Sequence, residues 1–129
     1  MNMWDDAVNS HSQMAHAIAT AEGFYVDGSI PQRAHNPGDL VLGDKGHGTL
    51  GAEGITVFQD DATGWAALEH QLDLIKKRQS HVYLMTMTIQ QMADHWTRTQ
   101  REEWALNVCA TLSANGRPAM PTTLLKDVL

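Results

Sequence analysis

The sequence predicts a mainly helical α+β domain carrying one small antiparallel β-hairpin sheet. Three observations predict it. Apolar residues recur at helical intervals in four separate segments, a glycine-rich stretch separates two short extended runs, and no linker, repeat or low-complexity tract divides the chain. With 129 residues, 43% hydrophobic and 19% charged, the whole chain 1–129 fits a single domain whose four Trp and seven Met supply bulky core material.

The first helix is expected over Ser10 to Glu22. Ser10 and Gln13 have capping-box spacing, Met14, Ile18 and Ala21 recur on one face, and Gly23 stops it. Residues 23–38, GFYVDGSIPQRAHNPG, hold three Gly and two Pro and read as an irregular loop of the kind that often carries function. Asp39 to Leu42 and Ile55 to Phe58 then read as two extended pieces that pair across DKGHGTLGAEG, whose four glycines suit a flexible connection. Asp60 and Asp61 offer N-caps for a long helix with Trp65, Leu68, Leu72 and Ile75 on one face. After a connector around Ser80 to Met87, Thr88 caps a short helix presenting Ile89, Met92 and Trp96 inward. A further helix carries Trp104, Val108 and Leu112, and PTTLLKDVL forms a last turn or two.

The formal charge of −6 and the lack of any basic cluster beyond Lys76, Lys77 and Arg78 argue against a nucleic-acid partner, because phosphate binding needs clustered cations. That triplet falls at a helix end, where it complements the dipole. The single Cys109 cannot form an internal disulfide, and on an apolar helix face it reads as a buried small hydrophobe rather than a nucleophile. The start MNMWDDAVNS shows no signal peptide, and no stretch reaches the roughly 20 apolar residues of a membrane span. Seven histidines raise the question of a metal, but His11 and His16 lie five apart without the Glu of a zinc-protease helix, and the others show no ligand spacing. No metal and no cofactor are expected.

Glu22 is the informative position. A carboxylate in the last turn of an amphipathic helix faces the unfavourable end of the dipole, and apolar neighbours Ala21, Phe24 and Tyr25 would dehydrate it. Both effects raise its pKa from about 4.3 towards the range in which a carboxylic acid protonates a glycosidic oxygen near neutral pH.

Around that residue, AIATAEGF, then RAHNPGDL, then GITVFQDDATGWAALEHQL resemble the small lytic-transglycosylase-like domains of phage virion and cell-wall-lysis proteins, in the lysozyme-like superfamily. The likeness is strong over residues 14 to 75 and weaker through ADHWT and WALNVCATL; it lies in the order and spacing of short motifs. The resemblance implies a lysozyme-like fold that cleaves peptidoglycan glycan strands at the MurNAc–GlcNAc β-1,4 bond. Glu22 would be the catalytic acid and Asn36, Pro37, Gly38 and Leu40 the turn lining the cleft. Asp39 stands where related sequences often have Asn, so either a second catalytic carboxylate enters the site or Asp39 caps the turn.

Phe24, Tyr25, Arg33, His35, Asn36 and Gly38 are the candidate substrate-binding residues, through stacking on a pyranose face or hydrogen bonds to hydroxyl and acetamido groups; plain loop exposure is the competing reading. Trp65, Trp96 and Trp104, spaced with aliphatic residues, are expected in the core. A two-carboxylate hydrolase would draw its partner from Asp27, Asp39, Glu53 or Asp60, each of which reads in the first place as a turn or cap residue. The expected partners are the glycan strand and phage virion proteins. The expected setting is the virion, or synthesis in the cytoplasm with action at the wall or periplasm. The competing function is a non-catalytic virion or glycan-binding module on the same scaffold.

Overall fold

The computed structural model describes residues 11–129. In chain order the described elements are α1 (Gln13–Glu22), α2 (Ile30–Arg33), β1 (Thr49–Leu50), β2 (Ile55–Thr56), α3 (Asp61–Lys76), α4 (Ile89–Trp96), α5 (Arg101–Ala114) and a 3₁₀ turn, Leu125–Asp127. This is the mainly helical α+β architecture with one two-stranded antiparallel sheet that the hydrophobic periodicity predicts.

The first four helices start where a short polar side chain meets their orphan N–H groups, whereas α5 follows Gln100 without a side-chain cap. Ser12 caps α1 by accepting from Ala15 N, and Asp60 caps α3 by accepting from Thr63 N. Thr88 and Gln91 form a reciprocal capping box on α4. The expected Ser10 cap lies outside the described residues. α1 ends at Gly23, whose φ of 80° only glycine adopts freely, and Phe24 N returns to Ala19 O. α3 ends at the Lys76–Arg78 triplet, with Lys77 as its C-cap.

α5 lies against both α1 and α4, and α3 closes the other side of α1. Between them Met14, Ile18, Leu68, Leu72, Ile75, Met92, Val108 and Leu112 are buried, and Cys109 is a free, buried thiol among them. The C-terminal turn contributes Leu125 and Val128, and pins the start of α4 through Leu125 N to Met87 O and Ile89 N to Thr123 O.

The hairpin departs from expectation. Its strands are Thr49–Leu50 and Ile55–Thr56, in register Thr49 opposite Thr56 and Leu50 opposite Ile55, so β1 arises inside the glycine-rich connection and Asp39 to Leu42 is not a strand. The cause is local. Asn36 is wholly buried, donates from Nδ2 to both Leu40 O and Thr56 O, and accepts from Leu40 N. Those are backbone groups a strand pairing would use, and of that pairing only Thr56 N to Leu40 O, at 3.0 Å, is made. Asp39, at φ 53°, breaks the extended path, and Thr56 Oγ1 ties down Leu42 N and Gly43 O in place of a ladder.

A close approach fixes this loop onto α3. A Cβ on Gly64 would lie 1.8 Å from His35 O and 3.0 Å from Pro37 Cδ, so only glycine lets the 35–37 backbone rest on the first turn of the helix. Phe58 N to Ala34 O closes the other side.

Candidate active site

Glu22 sits at the last position of α1 and points into a cleft of about 320 Å³. The cleft is also lined by Asp39 to Leu42, Glu53 from the hairpin tip, Gln71 from α3, Tyr83 from the connector, and His95, Trp96, Thr97 and Arg98 from the end of α4 and beyond. Its carboxyl faces a concavity rather than open solvent, which is the placement acid catalysis requires. A larger cavity of about 610 Å³ lies around His11, His16, Glu69, Lys76 and Arg117. Its Glu69 carboxylate is taken up by Ser12 N and Oγ, both at 2.9 Å, so size does not make it the better candidate.

Burial is the largest force on Glu22, and the neighbouring Asp39 charge adds to it, with a smaller repulsion from Glu53; together they push its pKa up to about 8. One contact opposes the rise: Trp104 Nε1 donates to Glu22 Oε1 at 2.8 Å and favours the ionised form. Asp39 is likewise pushed up by burial and by Glu53, while its link to Glu22 pulls it down. Two facing carboxylates cannot both ionise cheaply, and one proton shared between them turns an acceptor pair into a donor and an acceptor. Asp39 Oδ1 is buried, and no hydrogen bond from the described residues reaches it. A proton on Glu22, or a donor on a bound ligand, would satisfy it.

The remaining expected residues divide. Gly38 is buried, and a Cβ there would meet Leu68 Cδ1 at 2.9 Å; its carbonyl accepts from Trp96 Nε1 at 3.0 Å. Asn36 supports the turn from beneath, with its amide spent on backbone. Phe24 is a core residue, edge-on to Trp65 with centroids 5.5 Å apart. Tyr25 is exposed and bonds His16 Nδ1 through its hydroxyl. His35 pairs with Asp61 at 2.8 Å, and Arg33 is exposed at the end of α2. The structure brings together Glu22 and Asp39, while Phe24, Tyr25, Arg33, His35, the Asn36 side chain and Gly38 are not among the cleft lining.

Among the other acids, Asp60 is a helix cap and Glu53 reaches the cleft rim. Asp27 takes part in a loop hydrogen bond with Gln32.

Sequence reading missed the far wall. Trp96 and Trp104 were expected in the core; Trp104 is buried there, yet its ring nitrogen serves Glu22, while Trp96 is half-buried and lines the cleft. Tyr83, whose phenol burial pushes up to about 12, stays neutral and adds an aromatic face. The only available signal was compositional, polar and aromatic residues clustering over 81–98, without a spacing that ties them to Glu22.

Among the described residues no group of three or more His, Cys, Asp or Glu is arranged to hold a metal, and no helix is long and apolar enough to cross a membrane. Comparison of the chain with protein-family models, curated proteins and solved structures gave no match.

Proposed function

We propose that this protein cleaves peptidoglycan glycan strands at the MurNAc–GlcNAc β-1,4 bond, as a lytic transglycosylase or muramidase using Glu22 as acid and base. The observation that carries the proposal is the carboxyl pair in the cleft: Glu22, with a pKa near 8, is protonated at neutral pH beside Asp39. An acid of that strength is matched to protonating a leaving oxygen under physiological conditions.

The chemistry proceeds in two proton transfers. Glu22 gives its proton to the glycosidic oxygen as the bond to the anomeric carbon breaks, and positive charge develops on the sugar. The carboxylate left behind then takes a proton from the attacking hydroxyl. If that hydroxyl is the muramoyl 6-hydroxyl the product is a 1,6-anhydro sugar, and if it is water the product is a reducing end. Asp39 keeps the proton on Glu22 in the resting state and, when ionised, offers negative charge to the sugar cation. Trp96 and Tyr83 offer ring faces to pyranose, Gln71 and Thr97 offer hydrogen bonds, and Arg98 is the one Lys or Arg in the lining. The virion or lysis setting implied by the sequence resemblance suits such an enzyme.

The test is product analysis. The full chain is incubated with purified peptidoglycan and the soluble muropeptides are resolved by mass spectrometry, which separates anhydro products from species heavier by one water. Glu22→Gln is expected to reduce release by roughly 10²- to 10⁴-fold while keeping the fold. Activity is expected to fall as pH rises through about 8, where Glu22 loses its proton. Asp39→Asn removes a charge that raises the Glu22 pKa, so the alkaline limb should move to lower pH. Binding to peptidoglycan without release of any fragment would overturn the enzymatic reading in favour of a glycan-binding module.

A further inference from the structure

Two indoles flank the carboxyl pair. Trp104 is the fourth residue of α5, is 4% exposed, and donates from Nε1 to Glu22 Oε1 at 2.8 Å. Trp96 is the last residue of α4 and donates from Nε1 to Gly38 O at 3.0 Å, immediately before Asp39. The two rings lie next to each other, with centroids 6.2 Å apart and planes inclined by 31°. An indole N–H can only donate, so each of these contacts has a fixed direction.

We infer that Trp104 and Trp96 are positioning residues for the acid pair, Trp104 aligning the Glu22 carboxyl and stabilising it once its proton has left, and Trp96 holding the turn that carries Asp39. The inference rests on the reading of Glu22 and Asp39 as the reactive pair, but its geometry is independent of which glycan is cut.

The chemistry follows from what Glu22 does in a cycle. While protonated, it receives from Trp104 a hydrogen bond between neutral groups. After proton transfer the same bond is charge-assisted and roughly twice as strong. The indole therefore favours the state after proton transfer, which is where a bond must strengthen to lower a barrier. Without it, Glu22 would face the Asp39 and Glu53 charges with no opposing donor, and would hold its proton too tightly to give it up. The other titratable groups lining the cleft are Tyr83, His95 and Arg98. On the Asp39 side the need is geometric. Asp39 has φ 53°, its N–H bonds Asn36 O at 3.0 Å, and Asn36 ties the turn from the inside. Trp96 clamps the same turn from the cleft side, so the strained position is held from two directions.

The experiment reads Trp104 directly. In the ¹⁵N-labelled full chain the Trp104 indole N–H signal, assigned by its loss in Trp104→Phe, is expected to shift with pH in step with the Glu22 carboxyl carbon, and to stop titrating in Glu22→Gln. In Trp104→Phe the Glu22 titration should move upward. On peptidoglycan that variant should lose roughly 10- to 100-fold in kcat with little change in KM, with the alkaline limb displaced the same way. Trp96→Phe should shift the Asp39 titration and leave the Trp104 signal following Glu22.

An indole signal indifferent to pH in the wild-type chain would overturn the inference even if Trp104→Phe does not fold. So would a Glu22 titration unmoved by Trp104→Phe. Indole and carboxyl titrating together in a protein that releases no muropeptide would sustain the coupling and discard only the wall substrate.

Discussion

Asn36 shows how much one buried side chain can decide. It makes three hydrogen bonds with no exposure to solvent, to Leu40 N, Thr56 O and Leu40 O, the last of which also accepts from Thr56 N. Asn36→Ala is therefore expected to destabilise the protein by about 2–4 kcal/mol, read from urea denaturation, and to loosen the turn carrying Asp39. A loss under about 1 kcal/mol would mean that water replaces the amide and that the turn is held chiefly by Gly38 and Trp96. The same residue explains a failure of sequence reading. An Asn between His and Pro suggests a turn and a sugar ligand equally well, and only the approach of Leu40 and Thr56 decides for the turn. Glu22 was legible because a carboxylate at a helix C-terminus among apolar neighbours violates a local electrostatic rule. Trp104 violates none, since a tryptophan at helical spacing looks the same whether or not its nitrogen meets a carboxylate.

At the scale of elements, the helices, the presence of the small sheet and its second strand were readable, and the place of the first strand was not. Spacings of three and four across Trp65, Leu68, Leu72 and Ile75 gave the buried face of α3, and Asp60 and Thr88 announced the starts of α3 and α4. β1 and β2 are two residues each, too short to show alternation, and the run Asp39 to Leu42 was taken for a strand although Leu40 N and Leu42 N bond side chains and only Thr56 N to Leu40 O joins it to β2 by backbone. The contact between loop and helix at Gly64 was equally invisible, because a helical glycine announces only a weaker helix. Gly64→Ala would ordinarily strengthen an exposed helix, yet here it is expected to cost more than about 3 kcal/mol, because the added carbon would sit 1.8 Å from His35 O. A thermal melt equal to or above that of the wild type would show that the 35–37 backbone can retreat from α3.

Over the whole molecule, stability rests on packing, since Cys109 is the sole cysteine. Its pH dependence should carry the signature of the acid site. Glu22 holds its proton in the folded state up to about 8 and releases it near 4.5 when unfolded, so the folded chain binds more protons between those values and stability falls as pH rises through that window. His11 and His16, whose pKa values burial lowers, act oppositely but only below about 6.5. Between pH 6.5 and 8 the Glu22 contribution stands apart from theirs. The wild type is expected to lose about 1–2 kcal/mol across that interval and Glu22→Gln much less, measured by chemical denaturation at each pH. Parallel curves for the two proteins would mean that Glu22 ionises in the folded chain as it does in the unfolded one.

The hydrogen bond from Trp104 to Glu22 joins residues 82 positions apart. Translation delivers Glu22 long before its partner. On the ribosome, a chain that has emerged only as far as α3 carries an ordinary solvated glutamate of everyday acidity. The dehydrated carboxyl that keeps its proton comes into being only once α5 has been synthesised and has folded back onto α1.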